Sequence, residues 1–223
     1  MQAVGTVVAF GPGPSTAVAG LDATALACDV LPGGEDLFPR IKQARGGSLL
    51  LLLAGETDDP ALAAAAKAAR ILQRRGGGEA VLVLPAVPAP PGPQATARLQ
   101  RAAALTGACV VQPIGKASWA DAVRCFVEPL AIFGLIGVEP GDIHLLVRPR
   151  AALLHLWDDE SLDRSLRRAR EVLISCRLRP SASLREVDGA ARRVKSATSA
   201  RLVLAGPEVG VDKGPAAIAA VLF

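Results

Sequence analysis

The chain contains no tyrosine and no asparagine, one methionine, two histidines and four cysteines among its 223 residues. With only His144 and His155 available, a histidine-rich metal site or a Ser-His-Asp triad has very few ways to be assembled. The two could face each other across adjacent strands as a ligand pair, but with no third partner they read as packed side chains. Cys28, Cys109, Cys125 and Cys176 form no CxxC pair and have no histidine at ligand spacing. They read as buried, reduced thiols, which argues against a zinc site or a disulfide framework. Long apolar runs are missing too. Ser48 to Ala54 and Phe126 to Val138 fall short of the ~20 residues a membrane span requires, and the second holds Glu128 and Pro129. The opening MQAVGTVVAFGPGP lacks a basic n-region and a small-x-small cleavage site, which predicts a cytoplasmic protein.

What is present is apolar and alanine-rich. Hydrophobic residues make up 51% and charged residues 21%, so a sizeable core can form and wholesale disorder is excluded. Twenty arginines stand against five lysines. Together with the missing Asn and Tyr this is the mark of GC-rich coding, which weakens arginine richness as a functional signal.

Strand and helix patterns alternate over the first 135 residues or so. Val4 to Phe10 reads as a strand ending at the turn signal Gly11-Pro12-Gly13-Pro14, and Ala23 to Val30 as a second. Glu35 to Arg45 reads as a helix closed by Gly46-Gly47. The leucine run Ser48 to Ala54 reads as a strand buried on both faces, as parallel sheets demand. Asp58 or Asp59 can cap a helix over Ala61 to Arg75, with Pro60 in its first turn. Strand Ala80 to Leu84, a stiff proline-rich loop from Val87 to Pro93, helix Gln94 to Leu105 and strand Ala108 to Gln112 follow. Trp119 to Gly137 is a long helical segment containing Pro129. These alternations predict right-handed parallel βαβ units.

From Asp142 the pattern changes. Asp142 to Arg148 and Ala151 to Trp157 read as neighbouring strands. Leu162, Leu166, Ala169 and Leu173 fit one face of a helix over Glu160 to Leu173. Strand 172–178, helix 183–195, strand 201–205 and strand 216–222 complete the reading. The fold class expected is α/β: a Rossmann-like parallel sheet domain with a core helix over 1–138, then a smaller α+β domain over 139–223.

Between Arg164 and Arg201 there are eleven Arg or Lys and three acidic residues, whereas the whole chain carries only +4. Arg164, Arg167 and Arg168 head this segment, and such a patch suits an anionic membrane surface or nucleic acid as well as plain solvation. No aromatic interrupts it for base stacking. The acidic stretch Glu56, Asp58 and Asp59 reads as carboxylates at a helix N-terminus, with a metal site as the sharper alternative. An enzyme built on the Rossmann half predicts a pocket above the strand ends at Gly11 and Gly55.

The run AREVLISCRLRPSASLREVDGAARRVKSATSARLVLAG, Ala169 to Gly206, resembles the C-terminal domain of FtsZ, the bacterial tubulin homologue. There a helix leads into a strand, a loop, a helix beginning near Leu-x-Glu-Val (here Leu184-Arg185-Glu186-Val187) and a strand ending in Gly. Upstream, Pro140-Gly141-Asp142-Ile143-His144 is similar to the loop after the family's core helix. Ser48 to Gly55 is similar to the strand before its phosphate loop, and Gly11 to Val18 to a cropped first nucleotide loop. The resemblance implies a trimmed FtsZ/tubulin arrangement. The same comparison implies that GTP chemistry is lost. The family's Gly- and Thr-rich phosphate loop corresponds to Gly55-Glu56-Thr57-Asp58-Asp59-Pro60, where carboxylates replace amide donors, and Gly11 and Gly13 alternate with prolines. The Asn and two acidic residues that act on the neighbouring subunit's GTP fall at His144, Leu146 and Pro149. No cofactor and no metal are then expected, and the chain reads as a pseudo-GTPase. It would act by contact with itself, head to tail, or with FtsZ, in division or membrane remodelling, reaching a membrane through a partner. The contact candidates are Asp58 and Asp59 on one side and Arg148 and Arg150 on the other, opposite in sign.

Overall fold

Leu49, Leu50, Leu51, Leu52 and Leu53 alternate between two hydrophobic clusters, and all five are buried. That alternation defines the architecture: a sheet with helices on both faces. The computed structural model describes residues 5–19, 28–31, 37–43, 49–55, 58–74, 79–127, 145–157, 161–178, 184–209 and 217–222. Strands β1 (Gly5–Phe10), β2 (Cys28–Leu31), β3 (Leu49–Ala54), β4 (Glu79–Val83), β5 (Cys109–Pro113) and β6 (Arg150–Leu156) are mutually parallel. Strand β9 (Ala217–Leu222) pairs antiparallel with both β6 and β7 (Glu171–Leu178), and β8 (Arg201–Val209) lies parallel to β7. One sheet results, in the order β2-β1-β3-β4-β5-β6-β9-β7-β8. Its six-strand parallel part is Rossmann-like and doubly wound.

Helices α1 (Pro12–Ala19) and α5 (Trp119–Phe126) cover one face, where Val18, Val123 and Phe126 pack on Val7, Leu51 and Val83. Helices α2 (Leu37–Gln43), α3 (Asp59–Gln73) and α4 (Pro93–Thr106) cover the other, where Ile41, Leu62 and Leu99 meet Val8, Leu52 and Val110. Ser118 and Asp121 form a reciprocal capping box that starts α5. At the far end of the sheet, α6 (Leu162–Leu166) and α7 (Leu184–Ala197) bury a smaller cluster: Leu162, Leu166, Val172, Ile174 and Val194.

Three local expectations are corrected. Gly11-Pro12-Gly13-Pro14 is not a turn before a loop, since α1 begins at Pro12. Proline's fixed φ suits a first helical turn, where an N–H has no acceptor anyway. The helix expected over 160–173 is only five residues long and ends at Leu166. Val172 and Ile174 face the α6–α7 cluster while Leu173 faces the opposite one, a period of two that belongs to strand β7. The strand expected over 142–148 is, in its described part, a helical turn at Leu145 and Leu146. Leu146 and Val147 are both buried in the first cluster, which consecutive residues of a one-sided strand cannot be. The second part of the expected core helix, with Pro129, and the loop through His144 lie outside the described residues.

Candidate functional site

The strand order reverses between β1 and β3, so their carboxyl ends form the crevice where doubly wound sheets hold ligands. Gly11 and Gly55 follow those two strands directly. Gly11 sits at φ +91°, a left-handed conformation open to glycine, and a Cβ there would stand 3.8 Å from the Gly55 Cα. The Gly55 N–H donates to the Phe10 carbonyl at 2.8 Å, tying the two strand ends together.

An anion at this point would need free amides at the N-termini of α1 and α3. Pro12 and Pro14 have none, and the Ser15 N–H donates to the Gly11 carbonyl at 3.3 Å, reinforced by its own hydroxyl at 2.8 Å. Of the first four residues of α1, Gly13 alone could offer a donor. At α3, Pro60 lacks an N–H and the exposed Asp58 carboxylate accepts the Ala61 N–H at 2.9 Å. Asp58 is thus a helix cap. Glu56, and the side chain of Asp59, lie outside the described residues.

The crevice is also lined by the chain's own rings. A Cβ on Gly13 would lie 3.2 Å from Cη2 of Trp119, and one on Gly55 would lie 3.0 Å from Cδ of Pro14. The glycines here admit intramolecular packing. The Trp119 Nε1 is buried and meets no acceptor among the described residues. Sequence reading placed the start of α5 at Trp119 but did not bring it to Gly13, because that contact joins α1 to α5 across more than a hundred residues.

The basic candidates separate in space. Arg148 is exposed. Arg150 is engaged within the chain: its Nε donates to the Leu146 carbonyl at 3.0 Å and its guanidinium pairs with Glu171. Arg164 and Arg168 line one cavity, whereas the exposed Arg167, the C-cap of α6, does not. Further along the basic segment, Arg192 pairs with Asp188. Arg193 pairs with Asp163, donates to the Trp157 carbonyl at 3.0 Å and lies 4.7 Å from the centroid of the Trp157 ring.

Asp58 follows β3 and Arg148 precedes β6, two strands that run in the same direction. The acidic and basic loops therefore lie beyond opposite ends of the parallel strands, one at the carboxyl end and the other at the amino end.

His155 is fully buried on β6, with the Ser161 Oγ 3.5 Å from its Nδ1, and His144 lies outside the described residues. Burial pushes the Cys109 thiol up to about 12; nearby Arg150 pulls the other way and Glu79 adds to the rise. Among the described residues, no group of three or more His, Cys, Asp or Glu is placed to hold a metal ion. Nor is any described helix long and apolar enough to cross a membrane. No protein-family model matches this chain, and no curated protein matches it either.

Proposed function

We propose that this protein is a non-catalytic FtsZ-like member of the tubulin superfamily that acts through head-to-tail contacts, with copies of itself or with FtsZ, and does not use GTP. The observation that carries the reading is the placement of oppositely charged loops at opposite ends of the parallel strands. A contact between Asp58 of one copy and Arg148 of the next is heterologous, so it repeats along a line. The missing amides at α1 and α3 support the loss of nucleotide, since the crevice offers a phosphate few donors and a carboxylate at Asp58. The order β7, α7 from Leu184, then β8 through Gly206 supports the family assignment, with β7, α7, β8 and β9 as the family's α+β unit and β6 belonging to the parallel sheet. Arg150 serves the contact indirectly, by holding the turn that carries Arg148.

Sedimentation velocity at low salt tests the contact. Self-association, or co-sedimentation with FtsZ, is expected to be lost in Asp58→Arg/Asp59→Arg and partly regained when Arg148→Glu is added. Calorimetry with GTP is expected to show no binding. A micromolar GTP affinity, or an association indifferent to salt and to both reversals, overturns the reading.

A further inference from the structure

Among the described residues, a gap opens over β6 between two helices. Helix α4 lies on one side of the gap and α6 on the other, and Ala151 and Leu153, both only partly buried, form the floor. The cavity between them is about 510 Å³, within the range of small-molecule sites. Leu99 of α4 and Pro91 of the proline-rich loop supply apolar walls. The opposite wall is different in kind. Arg164 and Arg168 stand four residues apart, with Ser165 between them. Arg164 lies on α6 and Arg168 in the turn just past its C-cap, where the Arg168 N–H donates to the Ser165 carbonyl at 3.0 Å, and both residues line the same rim.

Arg164 and Arg168 are both exposed. Arg150, Arg192 and Arg193 all have carboxylate partners, while Arg164 and Arg168 have none among the described residues. A guanidinium carries donors and no acceptor, so its complement is an anionic oxygen. The floor asks for something else. Partly buried Ala151 and Leu153 gain from covering by an apolar body, which a bare anion cannot provide. A neutral apolar molecule, in turn, would leave two cations at its edge without a counter-charge.

We infer that the cavity between α4 and α6 binds a small anionic amphiphile, an acyl chain bearing one carboxylate or phosphate monoester head, with the head on Arg164 and Arg168 and the chain on Leu99, Ala151 and Leu153. The site lies apart from the β1–β3 crevice and does not depend on how that crevice or the charged loops are used. It also divides the basic segment: Arg167, between the two, takes no part.

The test is calorimetric titration of the full chain with decyl phosphate. Saturable binding is expected, with decanol and inorganic phosphate each at least tenfold weaker. Arg164→Gln/Arg168→Gln is expected to weaken binding at least tenfold, and Arg167→Gln to leave it unchanged. Thr96→Trp, at an exposed position on the α4 wall, is expected to fill the cavity and weaken binding tenfold with the arginines intact. A thermal melt on each variant confirms folding. Flotation with vesicles containing phosphatidic acid, whose head is a phosphate monoester, separates the two sources of such a head. Flotation lost in the arginine pair and in Thr96→Trp identifies a membrane lipid, and decyl phosphate binding without flotation identifies a free ligand. Decanol binding as well as decyl phosphate, equal losses in Arg167→Gln and the arginine pair, or indifference of binding or flotation to Thr96→Trp would each overturn the proposal.

Discussion

Strands β3 and β4 are covered on both faces by apolar helix contacts, whereas the cover at the far end of the sheet carries a charged edge. There, among the described residues, α6 and α7 pack over Leu162, Leu166, Val172, Ile174 and Val194, and Arg193 spans Asp163, the Trp157 carbonyl and the Trp157 ring. Two-sided burial produces long apolar strings and closed surfaces. The cavity opens over β6, where α4 of the first cover meets α6 of the second.

Three measurements break or sharpen this contrast, taken from the largest expected effect down. Leu52→Ala, in the centre of β3, is expected to cost about 3–4 kcal/mol by urea denaturation, because close-packed neighbours on a parallel sheet cannot collapse into the void. Leu162→Ala in the small cluster should cost about 2–3 kcal/mol, since a five-residue helix can shift to fill space. Equal costs would erase the distinction between the two ends.

The second measurement asks how dry the parallel region is, through Cys109 on β5. Its thiol pKa is raised by burial from 9.0 to about 12, so the unfolded chain ionises first as pH rises. The stabilising contribution is whole below pH 9 and falls between there and about 12, by up to about 1.4 kcal/mol per pH unit. Urea midpoints of the wild type at about pH 8 and about pH 10 should therefore diverge more than those of Cys109→Ala. Parallel shifts in the two proteins would mean that water reaches β5.

The smallest effect concerns the charged edge. Arg193→Ala should lower stability by about 1 kcal/mol, the exposed ion pair with Asp163 contributing least and the carbonyl and ring contacts more. Arg192→Ala is the control. Its ion pair with Asp188 holds the guanidinium pKa above its ordinary value, yet the group is fully exposed and its loss should leave the urea midpoint in place. If both variants behave alike, the edge around Trp157 is solvated surface.

The contrast also explains what could be read from the residues. Strands β1, β3, β4 and β5 were legible because burial on both faces requires apolar residues at successive positions, a signal no local competition disturbs. Helix α6 was overextended because Leu173 satisfies both periods: it continues the spacing from Leu162 and Leu166, and it also alternates with Val172 and Ile174. Tertiary pairing with β8 and β9 decides in favour of the strand. The glycines at the β1–β3 crevice were visible as Gly11, Gly13 and Gly55, but what they admit was not. Whether a glycine faces a phosphate or a tryptophan depends on where α5 lands, and no local pattern around Gly13 contains that information. The amphiphile cavity was illegible for the same reason, since it joins residues 90–99 to residues 151–169. The caps were better marked. Asp58 or Asp59 was expected to cap α3, and Asp58 does, because a cap needs partners only three residues away.

Strand β9 follows every other described strand in the chain, yet it lies inside the sheet, hydrogen-bonded to β6 on one side and β7 on the other. On the ribosome, β1 to β6 and the β7–β8 pair must therefore wait with two unsatisfied edges until 217–222 emerges. A nascent chain halted before that point presents two adhesive strands at once, and neighbouring copies on a polysome would be each other's nearest partner.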